Sequence, residues 1–188
     1  MASLSPKLTA IADLSPVYQK LCRTAMKVSK NGYAPYSGFL VGAALLHKDG
    51  RTITPGCNCE NCIYQACCAE RCAIVSANAQ GRRTAWACAV YGNSSLEHVK
   101  VPPETLVTPC GNCRQLLNEV AVLSKCDIKL FLVATGGQYV SVVDLSTLLP
   151  QSFGPADAGL NIDAWIPKEE CEPMPPILAE DTVVPTKP

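Results

Sequence analysis

The chain has 188 residues, of which 48% are hydrophobic and 17% charged, and its formal net charge is zero. This length and composition are typical of one globular domain with a sizeable core. They do not show the basic surface of a polynucleotide-binding protein or the roughly 18 consecutive apolar residues of a membrane span, so we predict neither a nucleic-acid nor a membrane partner.

The first predicted elements are a helix and a hairpin. Ser15 is a good N-cap and Pro16 suits the first helical position, while Asn31–Gly32 is a natural helix end. Residues 39–57 then contain two apolar runs around a turn at 48–50, which predicts a β-hairpin.

The rest of the chain alternates helices with apolar strands. The predicted elements are a helix from 68 to 80, a strand over 85–92, a loop over 93–108, a helix over 110–123, strands over 128–134 and 138–143, and a short helix over 145–149. Alternating strands and helices predict an α/β sandwich with one mixed sheet.

Three segments are predicted from these signals. Residues 1–14 form an N-terminal extension, and residues 15–160 form the single domain. Residues 161–188 are rich in proline and acidic side chains, so we expect a flexible C-terminal tail.

Twelve cysteines are unusual for a chain of this length. The N-terminal stretch lacks the basic and apolar regions of a secretory signal, so we expect a cytoplasmic location. In a reducing compartment, cysteines serve as thiolates, metal ligands or small buried side chains rather than as disulfides. Cys22 and Cys88 lie in apolar contexts and are predicted to be buried.

Two cysteine-rich fragments, "CCAERCAIV" at 67–75 and "TPCGNCRQLL" at 108–117, fall at the starts of predicted helices. Cys68 lies in the first turn of one helix, and Cys110 and Cys113 lie in the first turn of the other. Helix N-termini lower thiol pKa values and favour the thiolate. Cys-x-x-Cys is a common zinc half-site, and one further thiolate gives three ligands with an open fourth position, as in catalytic zinc sites.

Glu70 lies two residues after Cys68, close enough to a metal to move protons without binding it. A Cys-x-Glu sequence followed by Pro-Cys-x-x-Cys is the signature of zinc nucleobase deaminases, in which the glutamate is the general acid and base. Both halves are present here, as Cys68-Ala69-Glu70 and as Pro109 to Cys113. Either half alone would be a weak signal, and together they are a strong one.

The sequence resembles the small, homotetrameric, three-cysteine cytidine deaminases. The resemblance covers residues 15–159 and rests on "PYSGFLVGAAL", "NCEN", "CAER", "PCGNCRQ" and "LLPQSFGP", which occur in the order typical of that family. It implies a three-layer α/β/α sandwich around a five-stranded mixed sheet, with residues 15–160 as the catalytic domain. It also implies one Zn²⁺ per subunit, a homotetramer, and hydrolytic deamination of cytidine and deoxycytidine to uridine and deoxyuridine with release of ammonia in pyrimidine salvage.

The resemblance also assigns roles to individual residues. It makes Cys68, Cys110 and Cys113 the zinc ligands. Glu70 then moves a proton from the attacking water to the pyrimidine N3 and later to the leaving amino group. The substrate-binding residues it implies are Phe39 against the base, Asn58 and Glu60 at the ribose hydroxyls, and the backbone of Ala69 at the base edge. It places Phe153 near the site of a neighbouring subunit, as a contact between subunits.

A charge argument adds an arginine to this site. Three thiolates on Zn²⁺ leave a net charge of about −1, which weakens the ability of the metal to acidify water. A guanidinium beside the thiolates would offset that charge. Arg71 is the predicted residue, and Arg114 is a second candidate.

Other interpretations of the same residues stay open at this point. Cys72 follows Cys68 by one helical turn and would close a structural four-cysteine zinc site. Cys57, Cys59 and Cys62 would form a second metal site. Two other functions also stay open. One is a non-catalytic zinc-binding or thiol-rich protein, and the other is a related deaminase that acts on a different small substrate.

Overall fold

The computed structural model of the chain describes residues 7–62, 65–168 and 171–182. In these ranges the strands are β1 (Thr9–Ala10), β2 (Phe39–Leu46), β3 (Ile53–Cys57), β4 (Ala87–Ser94), β5 (Lys129–Val133) and β6 (Tyr139–Asp144), and the α-helices are α1 (Pro16–Ser29), α2 (Ala69–Ala79), α3 (Gly111–Ser124) and α4 (Leu145–Leu148). No helix in the described part of the chain is long and apolar enough to cross a bilayer.

The strands form one mixed sheet in the order β1-β6-β5-β4-β2-β3. β4 and β5 are parallel and are joined through α3, whereas the other neighbouring strands are antiparallel. The predicted mixed sheet and the hairpin of β2 and β3 are therefore confirmed. The sheet has six strands rather than the predicted five, because β1 adds Thr9 and Ala10 to the edge of β6. A two-residue strand is too short to show an alternating pattern in the sequence.

Alternate residues of the strands face two separate apolar layers. On β2, Ala43 and Leu45 face α2 and α3, whereas Ala44 and Leu46 face α1. Tyr18 of α1 is fully buried and stacks on Phe131 of β5, with ring centroids 4.6 Å apart. The predicted three-layer α/β/α sandwich is confirmed. Cys22 and Cys88 are buried in these layers, as predicted.

The start of α1 lies against residues from the C-terminal segment. Ser15 precedes Pro16 with extended backbone angles, and its hydroxyl donates to the Pro176 carbonyl at 2.6 Å. The Tyr18 hydroxyl donates to the Pro175 carbonyl at 3.0 Å. Residues 175–177 thus contact the beginning of the helix that opens the predicted domain. The division into 1–14, 15–160 and 161–188 stays a prediction.

A close backbone contact fixes α2 on the sheet. A Cβ atom at Gly56 of β3 would lie 2.2 Å from the Ala73 nitrogen and 2.5 Å from the Ala69 oxygen, both in α2. The missing side chain therefore lets helix and strand approach each other closely. This approach sets the position of the N-terminus of α2, where Cys68 and Glu70 lie.

Candidate active site

Three of the predicted site residues meet where two helices begin. Cys68 is the N-cap of α2, Cys110 is the N-cap of α3, and Cys113 lies in the first turn of α3. Because α2 and α3 pack on the same face of the sheet, their N-termini are neighbours. The three sulfur atoms lie within 4.8 Å of one another, and the Cys68 and Cys110 sulfurs are 3.6 Å apart.

These sulfur positions fit a zinc ion. Zn–S bonds of about 2.3 Å at tetrahedral angles place two sulfurs about 3.8 Å apart. Thiolate donors favour zinc over magnesium or calcium. Burial, followed by the negative charges of Glu70 and Cys68, raises the pKa of the Cys113 thiol above its ordinary value. A divalent cation would remove this penalty, because it attracts the thiolates that otherwise repel one another.

The two alternative metal sites are not formed. Among the described residues, Cys68, Cys110 and Cys113 are the one group of three or more Cys, His, Asp or Glu ligands close enough to share an ion. Cys72 does not join it, so the cluster offers three sulfurs and leaves a fourth position for another ligand. Cys57, Cys59 and Cys62 do not converge either.

Glu70 lies beside the sulfur cluster, in the first turn of α2. Its side chain is buried, with 3% exposure, and the Cys113 thiol lies close enough to the carboxylate to influence its pKa. Burial raises the pKa of Glu70 above its ordinary value. A raised carboxyl pKa favours proton exchange near neutral pH, which suits a general acid and base.

A cavity of about 320 Å³ opens in front of these residues. Predicted residues that line it are Phe39, Asn58, Glu60, Cys68, Ala69, Glu70 and Cys110, and further lining residues are Ser37, Val41, Ala66, Cys67, Val107 and Thr108. A larger cavity of about 580 Å³ lies between α2 and α3 near Arg83 and Trp165. The larger cavity does not contain the thiol cluster, so the chemistry belongs to the smaller one.

Asn58 joins the end of β3 to the beginning of β2. Its amide nitrogen donates to the Phe39 carbonyl at 2.8 Å, and its amide oxygen accepts from the Val41 nitrogen at 2.9 Å. One N–H and one oxygen lone pair of the side chain remain for a ligand. Asn58 therefore shapes the cavity wall and also presents polar atoms to the cavity.

Ser37 holds the Glu60 carboxylate, which the sequence analysis did not predict. The Ser37 hydroxyl donates to one carboxylate oxygen at 2.6 Å, and the Tyr36 and Ser37 nitrogens donate to the other at 3.1 and 3.2 Å. These bonds, the Ser37 hydroxyl above all, lower the pKa of Glu60, so the group stays ionised. Ser37 lies in the quoted "PYSGFLVGAAL", but nothing in that motif alone indicates its partner.

The two arginines occupy different environments. Arg71 is exposed, and its side chain makes no hydrogen bond or ion pair with a described residue. Arg114 donates from Nε to the Pro109 carbonyl at 2.8 Å and from Nη1 to the Leu148 carbonyl at 2.9 Å. Arg114 thus fixes the segment before Cys110, and the role of Arg71 stays a prediction.

Phe153 lies outside the cavity of its own chain. Its side chain is 65% exposed, and its carbonyl accepts hydrogen bonds from the Gln115 and Asn118 side chains of α3. The bonds orient the backbone at Phe153 while the ring points away from the core. The predicted contact with a neighbouring subunit stays a prediction.

The sequence matches known proteins over most of its length. Residues 16–126 match the family described as the cytidine and deoxycytidylate deaminase zinc-binding region. The chain is 40% identical over 140 residues to a cytidine deaminase of Halalkalibacterium halodurans. The aligned region covers 74% of this chain and 96% of that protein.

Solved structures give the same result. The crystal structure of a cytidine deaminase from Burkholderia pseudomallei has a TM-score of 0.61 and 37% identity, and the match covers 72% of this chain and 98% of that one. The crystal structure of a cytidine deaminase from Mycobacterium tuberculosis matches with a TM-score of 0.55 and 30% identity. This match covers 73% of the present chain and 97% of the Mycobacterium tuberculosis chain. Together with the thiol cluster and the adjoining buried glutamate, these matches show that the chain belongs to the zinc-dependent cytidine and deoxycytidylate deaminase family.

Proposed function

We propose that this protein is a hydrolase that converts cytidine and deoxycytidine to uridine and deoxyuridine and releases ammonia. The observation that carries the proposal is the buried Glu70 carboxylate beside a three-thiol zinc site, at the wall of a cavity of about 320 Å³. The named relatives are cytidine deaminases, which supports the same reaction and a role in pyrimidine salvage.

In this reaction Cys68, Cys110 and Cys113 hold the zinc ion. When bound, zinc would lower the pKa of a water molecule in its fourth position toward neutrality. Glu70 accepts a proton from the attacking water and delivers it to the pyrimidine N3, which makes C4 electrophilic. The water oxygen is then a hydroxyl on C4. Glu70 takes the proton of this hydroxyl and delivers it to the amino nitrogen, so the C4–N bond breaks, a carbonyl remains at C4 and ammonia leaves.

The remaining cavity residues orient the nucleoside. Phe39 packs its ring against the base, and the backbone of Ala69, whose N–H has no partner within the helix at this position, binds the base edge. Glu60 accepts hydrogen bonds from ribose hydroxyls, and Asn58 offers its free N–H beside it. Because Ser37 and two backbone N–H groups hold Glu60, it is oriented before the substrate arrives.

The charges at the cavity favour a nucleoside over its 5′-phosphate. Among the described residues that line it, Glu60 and Glu70 are acidic and none is Lys or Arg. A phosphate dianion would lack a cationic partner among these residues and would meet the negative charges of the cavity, and like charges placed together disfavour binding. We therefore infer that deoxycytidine is the substrate and deoxycytidine 5′-phosphate is not.

For zinc-loaded protein we expect kcat/KM for deoxycytidine to exceed that for its 5′-phosphate by about 100-fold or more. The measurement is the loss of absorbance as the amino group leaves, with ammonia release as a second readout. Equal use of both compounds would contradict the nucleoside preference. Zinc-loaded protein that turns over neither cytidine nor deoxycytidine would overturn the proposed function itself.

We further propose that the protein is a cytoplasmic homotetramer in which Phe153 lies near the site of a neighbouring subunit. Large apolar side chains that are exposed in the single chain support this proposal, among them Val75 of α2 at 61% and Phe153 at 65%. None of the twelve cysteines, all of which lie in the described ranges, is paired in a disulfide, which supports a reducing compartment. Native mass spectrometry should give four times the mass of the chain, and a monomeric mass would contradict the tetramer.

A further inference from the structure

Two cysteines outside the zinc cluster lie directly opposite each other. The Cys59 nitrogen donates to the Cys67 carbonyl at 3.0 Å, and the Cys67 nitrogen donates to the Cys59 carbonyl at 2.8 Å. Residues that exchange both hydrogen bonds form a hydrogen-bonded antiparallel pair, with Cα atoms about 5.5 Å apart and side chains on the same face. This separation lies within the usual range for disulfides.

The chemical state of both residues permits a bridge. Cys59 and Cys67 are half-buried free thiols, and neither belongs to the cluster that fits zinc. The Cys59 thiol contacts the Asn61 side-chain oxygen, and the Cys67 thiol contacts the Gln65 carbonyl at 3.9 Å. Both contacts are local, so either sulfur can turn toward the other by side-chain rotation.

The position of the pair gives a bridge functional significance. Cys59 lies between Asn58 and Glu60, which line the cavity, and Cys67 precedes Cys68. A bond between the two sulfurs would join the segment that binds the sugar to the segment that begins α2. The backbone ladder between Cys59 and Cys67 already holds the two segments side by side.

We propose that Cys59 and Cys67 form a reversible disulfide by exchange with a low-molecular-weight disulfide. One cysteine thiolate attacks a sulfur of the small disulfide, which forms a mixed disulfide and releases one small thiolate. The second cysteine thiolate attacks the protein sulfur of that mixed disulfide and releases the other small thiolate. The two cysteine sulfurs lose two electrons, the small disulfide gains them, and the two thiol protons go to the two small thiols that are released.

The bridge fastens the active-site wall without closing the site. We therefore expect the oxidised protein to keep its kcat for cytidine and to melt at a temperature about 5 °C higher than the reduced protein. The crosslink itself does not depend on the proposed deaminase activity. Its mass can be measured whether or not the protein turns over cytidine.

The test uses the full, zinc-loaded chain in mixtures of reduced and oxidised glutathione. The wild-type protein should lose about 2 Da, the mass of two hydrogen atoms, and dithiothreitol should restore the original mass. Tandem mass spectrometry of the digested protein should place the bond between Cys59 and Cys67. A bond at another pair, or glutathione adducts alone, would overturn the proposal.

Serine variants provide matched controls. Cys62 is exposed and lies in the same loop, so Cys62→Ser should form the bridge as readily as the wild type does. Cys59→Ser should lose the bridge and carry glutathione on Cys67 instead. If Cys67 still forms a protein disulfide in Cys59→Ser, the assignment of Cys59 as its partner is wrong. If oxidised Cys62→Ser loses kcat for cytidine, the proposal that the bridge leaves the site open is wrong.

Discussion

Replacing Glu70 by Gln should lower kcat for cytidine by about 10²- to 10⁴-fold and leave zinc content unchanged. Gln has the shape of Glu but cannot accept a proton from water or deliver one to the pyrimidine N3. The buried position of Glu70, with 3% exposure, leaves no room for a bulk-solvent base to replace it. The variant should also keep the fold, because the substitution changes neither side-chain length nor volume.

The measurement compares metal stoichiometry and single-turnover rates for the wild type and Glu70→Gln. Glu97→Gln makes the same chemical change at an exposed glutamate outside the cavity, and it should retain the wild-type rate. A Glu70→Gln protein that keeps one zinc and most of its turnover would contradict the assigned proton transfer. Loss of zinc in this variant would instead show that Glu70 supports the metal site.

Local signals in the sequence predicted most of the helices and strands. Ser15 and Pro16 define the beginning of α1, and the predicted beginnings of the helices near 68 and 110 placed Cys68, Cys110 and Cys113 at two helix N-termini. These features depend on residues that are near one another in the chain, where capping and periodicity operate.

Features that depend on distant residues could not be predicted in the same way. The hydrogen bonds from Ser37 to Glu60 link positions 23 residues apart, and those from Ser15 and Tyr18 to the C-terminal segment link positions more than 150 apart. The sequence could not show which arginine, Arg71 or Arg114, interacts with the site, for the same reason. Arg71 directly follows Glu70 and Arg114 directly follows Cys113, but only the packed structure shows that Arg114 reaches Leu148 of α4.

Gly56→Ala should lower the free energy of unfolding by about 3 kcal/mol or more, with a parallel loss of zinc and activity. The added Cβ would lie 2.2 Å from the Ala73 nitrogen and 2.5 Å from the Ala69 oxygen, and backbone atoms cannot rotate away as a side chain would. Gly56 does not have a positive φ, so the cost arises from this contact alone. Relief requires α2 to move off β3, and α2 carries both Glu70 and the cap residue Cys68.

Gly111→Ala is the matched control, because a Cβ at Gly111 would meet nothing within 4 Å although it lies between Cys110 and Cys113. Its free energy of unfolding should stay within about 0.5 kcal/mol of the wild-type value. Urea unfolding midpoints and zinc content of the two variants test the difference. Equal midpoints would mean that α2 can shift at little cost. A destabilised Gly56→Ala that keeps full zinc would mean that the sulfur cluster tolerates such a shift, so the two readouts separate the packing of α2 from the geometry of the site it carries.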